Sequence, residues 1–311
     1  MARRVLITAV TLFLVSVLTF GAFALIPGDP AVMMLGIEAD AGQVESLRAE
    51  LGLDRSLAVR YVSWLGNFLT GNLGNSLRFQ GTPIAELVLD RLPVTFTLAC
   101  ISFLLTLLIA LPTALASSFK EDSFFGRFVT CFTAVTIAVP GFFLGILCIW
   151  IFGVILRFFT PGGYVPYQED FFGFLRYLLF PALAIAVPNS AVVIKFLRGS
   201  ILQQLHSDYT RTAYSKGADS GAVLYRHVLR NAVIPVIALL GMIIGDIFSG
   251  SIVIEQVFTI PGIGRLLIAS ITSRDYPLAQ TLVVYIAFIV VLANTAADVA
   301  IRLIDPRIKN G

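Results

Sequence analysis

Apolar and polar positions alternate along this chain on the scale of membrane crossings. Mostly apolar stretches run over about Val5–Ile26, Val94–Ser118, Phe128–Leu156, Tyr177–Leu197, Val228–Val253 and Leu278–Ile304. A hydrocarbon core roughly 30 Å thick is crossed by about 20 such residues in helical form. In lipid every backbone N–H and C=O must be paired within the segment, which selects helix. The pattern therefore predicts an all-α, polytopic membrane protein with six transmembrane helices. Proline removes a helix donor and kinks the helix, and Pro140-Gly141 interrupts the third stretch, Pro181 and Pro188 the fourth and Pro235 the fifth. Ala22-Phe23-Ala24 fits the small-x-small pattern of a leader cleavage site. The first stretch is longer than the ~7–15-residue apolar core of a leader, and is read as a retained span.

Three polar segments separate these spans informatively. In the first, residues 27–93, Asp40 can cap a helix whose apolar face is Val44, Leu47 and Leu51 and which Gly52 ends. Leu57, Tyr61, Trp64 and Phe68 recur at helical spacing and predict a second helix. The turn-rich Gly71–Ser76 follows, and Thr82-Pro83 opens a further short helix. In the second segment, Arg157–Arg176, a Thr160-Pro161-Gly162-Gly163 turn is flanked by Tyr164, Tyr167, Phe171, Phe172 and Tyr177, aromatics suited to a membrane interface. The third segment, 199–227, predicts two short helices. Ile201, Leu205, Tyr209 and Thr212-Ala213 recur at helical spacing, Gly217 supplies a stop, and Asp219-Ser220 caps the next helix. The join is a compact corner of small residues bordered by Asp208, Arg211 and Lys216. It suits two roles: a rigid docking element for another protein, or an amphipathic loop on anionic lipid.

Charge orients these elements. Inner segments of membrane proteins carry the excess of Lys and Arg. With both termini cytoplasmic, the inner segments hold Arg3, Arg4, Lys120, Arg127, Lys195, Arg198, Arg211, Lys216, Arg226 and Arg230, a moderate majority of the 22 basic residues with those of the C-terminal end. Hydrophobic residues make up 57% of the chain and charged ones 13%, against about 25% charged in soluble domains. A net charge of +3 gives no reason to expect nucleic acid. Cys100, Cys131 and Cys148 lie in apolar runs without metal-ligand spacing, and His206 and His227 share one loop, so no metal site is expected. A phosphate-binding G-x-x-x-x-G-K-[S/T] loop is absent from the sequence, as is a G-x-S-x-G elbow, so neither ATP hydrolysis nor acyl-transfer chemistry is expected of this chain.

Several motifs resemble one family. DYTRTAYSKGA followed by YRHVLRNAVIPV looks like the cytoplasmic loop of ATP-binding-cassette (ABC) importer permeases of the dipeptide/oligopeptide/nickel group. The family's R-T-A-x-A-K-G is matched by Arg211, Thr212, Ala213, Lys216 and Gly217, with Ser215 in place of the small Ala. IPGDP (Ile26–Pro30), Leu51–Leu77, RLPVT (Arg91–Thr95), Gly250–Leu267, SRDYP (Ser273–Pro277) and DPRIK (Asp305–Lys309) are similar to family motifs in the family's order, with Gly71-Asn72-Leu73-Gly74 where G-D-L-G is usual. The resemblance implies a type I importer permease: a first transmembrane helix (1–26), a small helical extracytoplasmic region (27–93), and a core (94–311) with a coupling loop at 199–227. It implies that Asp208, Tyr209, Arg211, Thr212, Ala213, Lys216, Gly217 and Ala218 dock an ATPase. Partners would be a second homologous permease, two ATPase subunits that hold ATP and Mg, and an extracytoplasmic solute-binding protein touching Pro261, Gly262 and Gly264. Its place would be a bacterial or archaeal cell membrane, its cargo peptides or related small solutes such as nickel chelates, and no cofactor would sit on this chain.

Two acids lie within spans, Asp246 in the fifth and Asp298 in the sixth. A charge at mid-bilayer costs roughly 2.5–3.5 kcal/mol on insertion scales, so each should face protein or water. Asp246 sits among Gly241, Gly245 and Gly250. It either borders a translocation path or makes a structural hydrogen bond between two permeases. An ion-coupled carrier acting without an ATPase is the competing class, and it leaves the basic, small-residue corner without a purpose.

Overall fold

In this computed structural model the structure describes residues 2–26, 29, 31–32, 40–50, 52–76, 78–79, 81–119, 121 and 123–304, with backbone alone at 2–5, 47, 50, 297–298 and 300–304. The helices are α1 (Ala2–Ala24), α2 (Ala41–Glu50), α3 (Leu57–Leu69), α4 (Ile84–Phe119), α5 (Phe124–Ala138) and α6 (Gly141–Cys148), the last continued by a π-helical segment, Ile149–Ile155. Then come α7 (Phe171–Leu205) and α8 (Asp208–Ser215), α9 (Ser220–Val257, π-helical over Val223–Val228), α10 (Ile263–Thr272) and α11 (Tyr276–Ile304). Among the described residues the β pairing is one isolated bridge, Asn75 with Pro83.

Among the described residues five helices are long and apolar enough to cross a membrane: α1, α4, α7, α9 and α11. The third expected span is a bent pair instead, α5 and α6 with its continuation meeting at 101°. Proline lacks the N–H that would continue the helix and drives the preceding residue out of the α region. Val139 (ψ 126°) and Pro140 (ψ 138°) are both extended, and two extended residues in a row redirect the chain. The short helix expected after Thr82-Pro83 has no end of its own. It runs through Arg91-Leu92-Pro93 into the second span as the 36-residue α4. A proline is tolerated there because its missing donor costs one bond in a helix held by packing on either side.

The chain divides into two compact units, Met1–Val94 with Pro261–Val291 and Thr95–Ile260 with Leu292–Gly311. In the second, α7 is the central rod. It packs most extensively on α9, then on α5 and α6. The middle of its buried side includes the small residues Ala182, Ala184, Ala186, Ser190 and Ala191, which let helix backbones approach closely where lipid offers no hydrophobic drive. α6 and α9 also come close, for a Cβ on Gly145 would lie 3.0 Å from Ile254 Cδ1. Polar ties fix the register. Tyr177 OH donates to Phe258 O (2.7 Å), Thr95 Oγ1 to the fully buried Glu255 Oε1 (2.6 Å), and Arg198 Nη1 to Thr130 Oγ1 (2.7 Å). The aromatics of the 157–177 segment divide. Phe171 and Phe172 are exposed as a membrane interface requires, whereas Tyr164 and Tyr177 pack edge-on into a cluster with Phe159, Phe174 and Phe258. The Tyr177 hydroxyl finds its acceptor inside, which removes the reason for it to face headgroups.

In the first unit a core forms where Ile84, Leu87 and Val88 of α4 meet Ile263, Leu266 and Leu267 of α10 and Leu278, Ala279 and Leu282 of α11. The Gly71–Ser76 turn carries left-handed glycines at 71 and 74, and Ser76 N–H donates to Thr82 O (2.9 Å). Ser76 Oγ donates to Asp275 Oδ2 (2.5 Å), as does Arg78 N–H (3.2 Å), and Leu278 N–H donates to Asp275 Oδ1 (3.3 Å). One carboxylate thus caps α11 and holds a turn 199 residues away in sequence.

The two helices expected within 27–93 form as α2 and α3. α2 follows Asp40 and ends at left-handed Gly52, where Leu53 N–H returns to Arg48 O (2.9 Å). The side chain of Leu47 and residue Leu51 lie outside the described residues, so the expected apolar face rests on half-buried Val44. α3 does not stand off the bundle. Tyr61 OH bonds Ser16 Oγ (2.8 Å), and Tyr61 and Trp64 pack on Phe20, about 6–12 Å along α1 from its C-terminal end. Aromatic rings at three- and four-residue spacing give α3 a stripe that α1 can bury.

An ion pair fastens the start of this region. Both Arg48 Nε and Nη2 donate to Asp29 Oδ2, and Ala31 N–H donates to Asp29 Oδ1 (3.0 Å). The Arg48 guanidinium holds the Asp29 carboxyl below the ordinary carboxylate range. A depressed value means that the contribution to stability is whole above the ordinary Asp value of about 3.9 and is lost as pH falls through the lower folded value. Amide exchange at Ala31, corrected for its intrinsic rate, should therefore stay slow from pH 7 to about 4 and quicken only below. In Arg48→Gln the rise should begin at a higher pH.

Candidate functional site

The corner after α7 is built by local rules. Ser207 precedes α8, with its Oγ donating to Gln204 O (2.6 Å) and touching Thr210 Oγ1 (3.0 Å). Thr210, the buried residue of α8, donates to the same Gln204 O (2.8 Å), so the turn from α7 into α8 is pinned from both sides. At the other end Gly217 takes φ +81°, Gly217 N–H donates to Tyr214 O (2.9 Å) and Ala218 N–H to Ala213 O (3.2 Å). This is the double closure of a left-handed helix stop, which L side chains resist. Asp219 then caps α9, accepting from Gly221 N–H (3.0 Å). The π-helical segment that follows buries Val223, Leu224 and Val228 in the second unit, against which α8 rests.

The eight residues singled out here fall together on one short rod and its stop. Asp208, Tyr209, Arg211, Thr212, Lys216 and Gly217 are exposed, and Ala213 and Ala218 are half-buried. Arg211 and Asp208 lie 3.9 Å apart with both side chains in solvent, an arrangement that contributes little to stability. Their charges remain free to meet another surface. Tyr209 OH donates to Gln204 Oε1 (2.8 Å) and braces α8 against the end of α7.

A second feature lies along the spans of the same unit. Gly141 and Phe142 at the opening of α6, Ala184, Ile185, Pro188 and Asn189 of α7, and Asp246, Gly250, Val253 and Ile254 of α9 line an open groove of about 200 Å³. Asp246 is exposed to it and, among the described residues, makes no hydrogen bond or ion pair. Asn189 Nδ2 is spent on Ile185 O (2.8 Å). The side chain of Asp298 lies outside the described residues.

Comparison with known proteins shows the family. Residues 106–310 match the family described as binding-protein-dependent transport system inner membrane component, and residues 1–99 its N-terminal companion. The chain belongs to that family. It is 35% identical over 307 residues to a putative peptide transport system permease protein of Brucella abortus (strain 2308), covering 99% of this chain and 98% of the relative. It is also 35% identical over 309 residues to an oligopeptide transport system permease protein of Bacillus subtilis (strain 168), covering 99% and 98%. A probable peptide ABC transporter permease of Sinorhizobium fredii is 34% identical over 307 residues. The chain is thus a multi-pass ABC importer permease, a transport subunit rather than an enzyme.

At the expected contact, Gly262 and Gly264 are buried and Pro261 is half-buried, because α10 opens here and drives Ile263, Leu266 and Leu267 into the core. Sequence reading also passed over two fully buried acids, Glu255 and Asp275. The signal for Glu255 was an acid two residues from the end of an apolar helix, where a carboxylate needs a built partner; Asp275 stands in the polar run Thr272–Asp275 and gave no such signal.

Proposed function

We propose that this permease moves peptides or related small solutes, nickel chelates among the conceivable cargoes, inward by alternating access, driven by ATP hydrolysed on partner subunits. What supports the reading most is the corner at 208–218: a short, exposed, charged rod closed by a left-handed glycine and seated on the buried start of α9. Force applied there reaches α7 and α9 together. In this reading the corner and both termini face the cytoplasm, and two ATPase subunits holding ATP and Mg receive α8. A second, homologous permease completes the bundle, and an extracytoplasmic binding protein delivers cargo to the 27–93 region and the rim at Pro261. The groove at Asp246 belongs to the path that cargo takes. An ion-coupled carrier needs no such corner.

The test is reconstitution. The full complex in proteoliposomes should accumulate peptide with ATP and loaded binding protein and should ignore an imposed proton or sodium gradient. Gradient-driven uptake by this chain without an ATPase would overturn the reading.

A further inference from the structure

Among the described residues Asp246 is a carboxylate without a partner, about 16 Å along α9 from Val257, which is about half the thickness of a hydrocarbon core. A charge at that depth is costly unless something answers it. One chain break and two compact residues border the groove with it: the opening of α6 after the extended Val139 and Pro140, Pro188 within continuous α7 and Gly250 within continuous α9. Among the described residues lining the groove, Asp246 is the one charged side chain and Asn189 the one amide.

The chemistry of the groove narrows its occupant. A bare metal ion would want several His, Cys, Asp or Glu donors, and no group of three occurs among the described residues. An organic ammonium needs one carboxylate and a neutral acceptor, which Asp246 and the amide oxygen of Asn189 offer together. Gly141 and Phe142 of α6 line the same groove, and their first-turn N–H groups have no partner inside their helix. They suit a peptide carbonyl or carboxylate just beyond that ammonium. At about 200 Å³ the groove is smaller than the roughly 300–1,000 Å³ of sites that enclose a whole small molecule. It is the size for one end of a peptide.

We infer that Asp246 and Asn189 form a transient recognition site for the α-ammonium of a passing peptide, so that the permease itself selects cargo with a free amino terminus. This inference rests on the importer reading above. It adds that selection occurs within the membrane, after the binding protein has released its load.

The test uses the assembled transporter in proteoliposomes, with binding protein saturated by a tripeptide or by its desamino analogue. The wild-type ratio of uptake rates should favour the free amine by at least about tenfold, the equivalent of one charge-assisted contact. Asp246→Asn should bring the ratio close to one, and Asp246→Glu should restore it. An unchanged ratio in Asp246→Asn, or a wild-type ratio near one, overturns the site. Failure of Asp246→Asn to co-purify with the second permease also overturns it, since the carboxylate would then answer a cation of that subunit. If the wild type moves neither compound with ATP, the importer reading itself has failed and the site with it. Asn189→Leu, which keeps the charge, should lower the ratio only partly.

Discussion

Replacing Gly217 will uncouple transport in an order that tracks backbone conformation: Asn mildest, Ala worse, Val worst. At φ +81° an L side chain is strained by roughly 1–2 kcal/mol, Asn tolerates the region best, and β-branched residues tolerate it least. Such a strain shifts the balance between the formed and unformed corner by a factor of about 5–30. The closure lost is the pair of bonds from Gly217 N–H to Tyr214 O and Ala218 N–H to Ala213 O, which together stop α8 and aim the chain into α9. Peptide moved per ATP hydrolysed in the reconstituted complex reads the effect. The ranking discriminates because, beyond its chain neighbours, none of the described residues lies within 4 Å of a Cβ at this position. If a docked subunit's bulk were what excluded side chains, Ala would be milder than Asn. That order would falsify the account from backbone strain.

Asp275→Ala will cost the first unit more than most single substitutions. It strips the acceptor from the hydroxyl of Ser76 and from the N–H groups of Arg78 and Leu278, in a site where Ser76 is 1% and Asp275 0% exposed. Each buried donor left unpaired costs about 1–3 kcal/mol. The damage reaches two elements at once, the start of α11 and the Gly71–Ser76 turn. Thermal unfolding of the purified protein in detergent should show a large fall in midpoint. Ser76→Ala in the Asp275→Ala background should add little, with a coupling of about 0.5–3 kcal/mol between the two. Strict additivity would mean that the carboxylate acts on α11 alone.

Much of the corner at 208–218 is readable from residue order because its determinants are local. The 3.6-residue period of Ile201, Leu205 and Tyr209, the stop at Gly217 and the cap at Asp219 each act within a turn or two of the residue concerned. The apolar spans are readable for a similar reason: lipid imposes one rule on every residue within them. Helix ends are harder. Pro93 looks like a boundary and lies inside α4, while Pro140, a similar residue in a similar setting, turns the chain through 101°. The difference is tertiary. Val94 and Leu98 just beyond Pro93 are buried in continuous helix, whereas Val139 and Pro140 both settle in extended backbone.

Residue order by itself determined the composition of the spans, the charge bias across them, the helical filling of the 27–93 region and the small, polar corner at 208–218. Each follows from a period or a cap that a stretch of chain carries with it. Only the tertiary structure decided that Ser76 answers Asp275, that Tyr61 reaches Ser16, that Gly262 and Gly264 are packed inside, and that Gly141, Asn189 and Asp246 share one groove. Those pairings join positions tens to hundreds of residues apart. Their partners are chosen by which helix faces meet, and no local pattern records that.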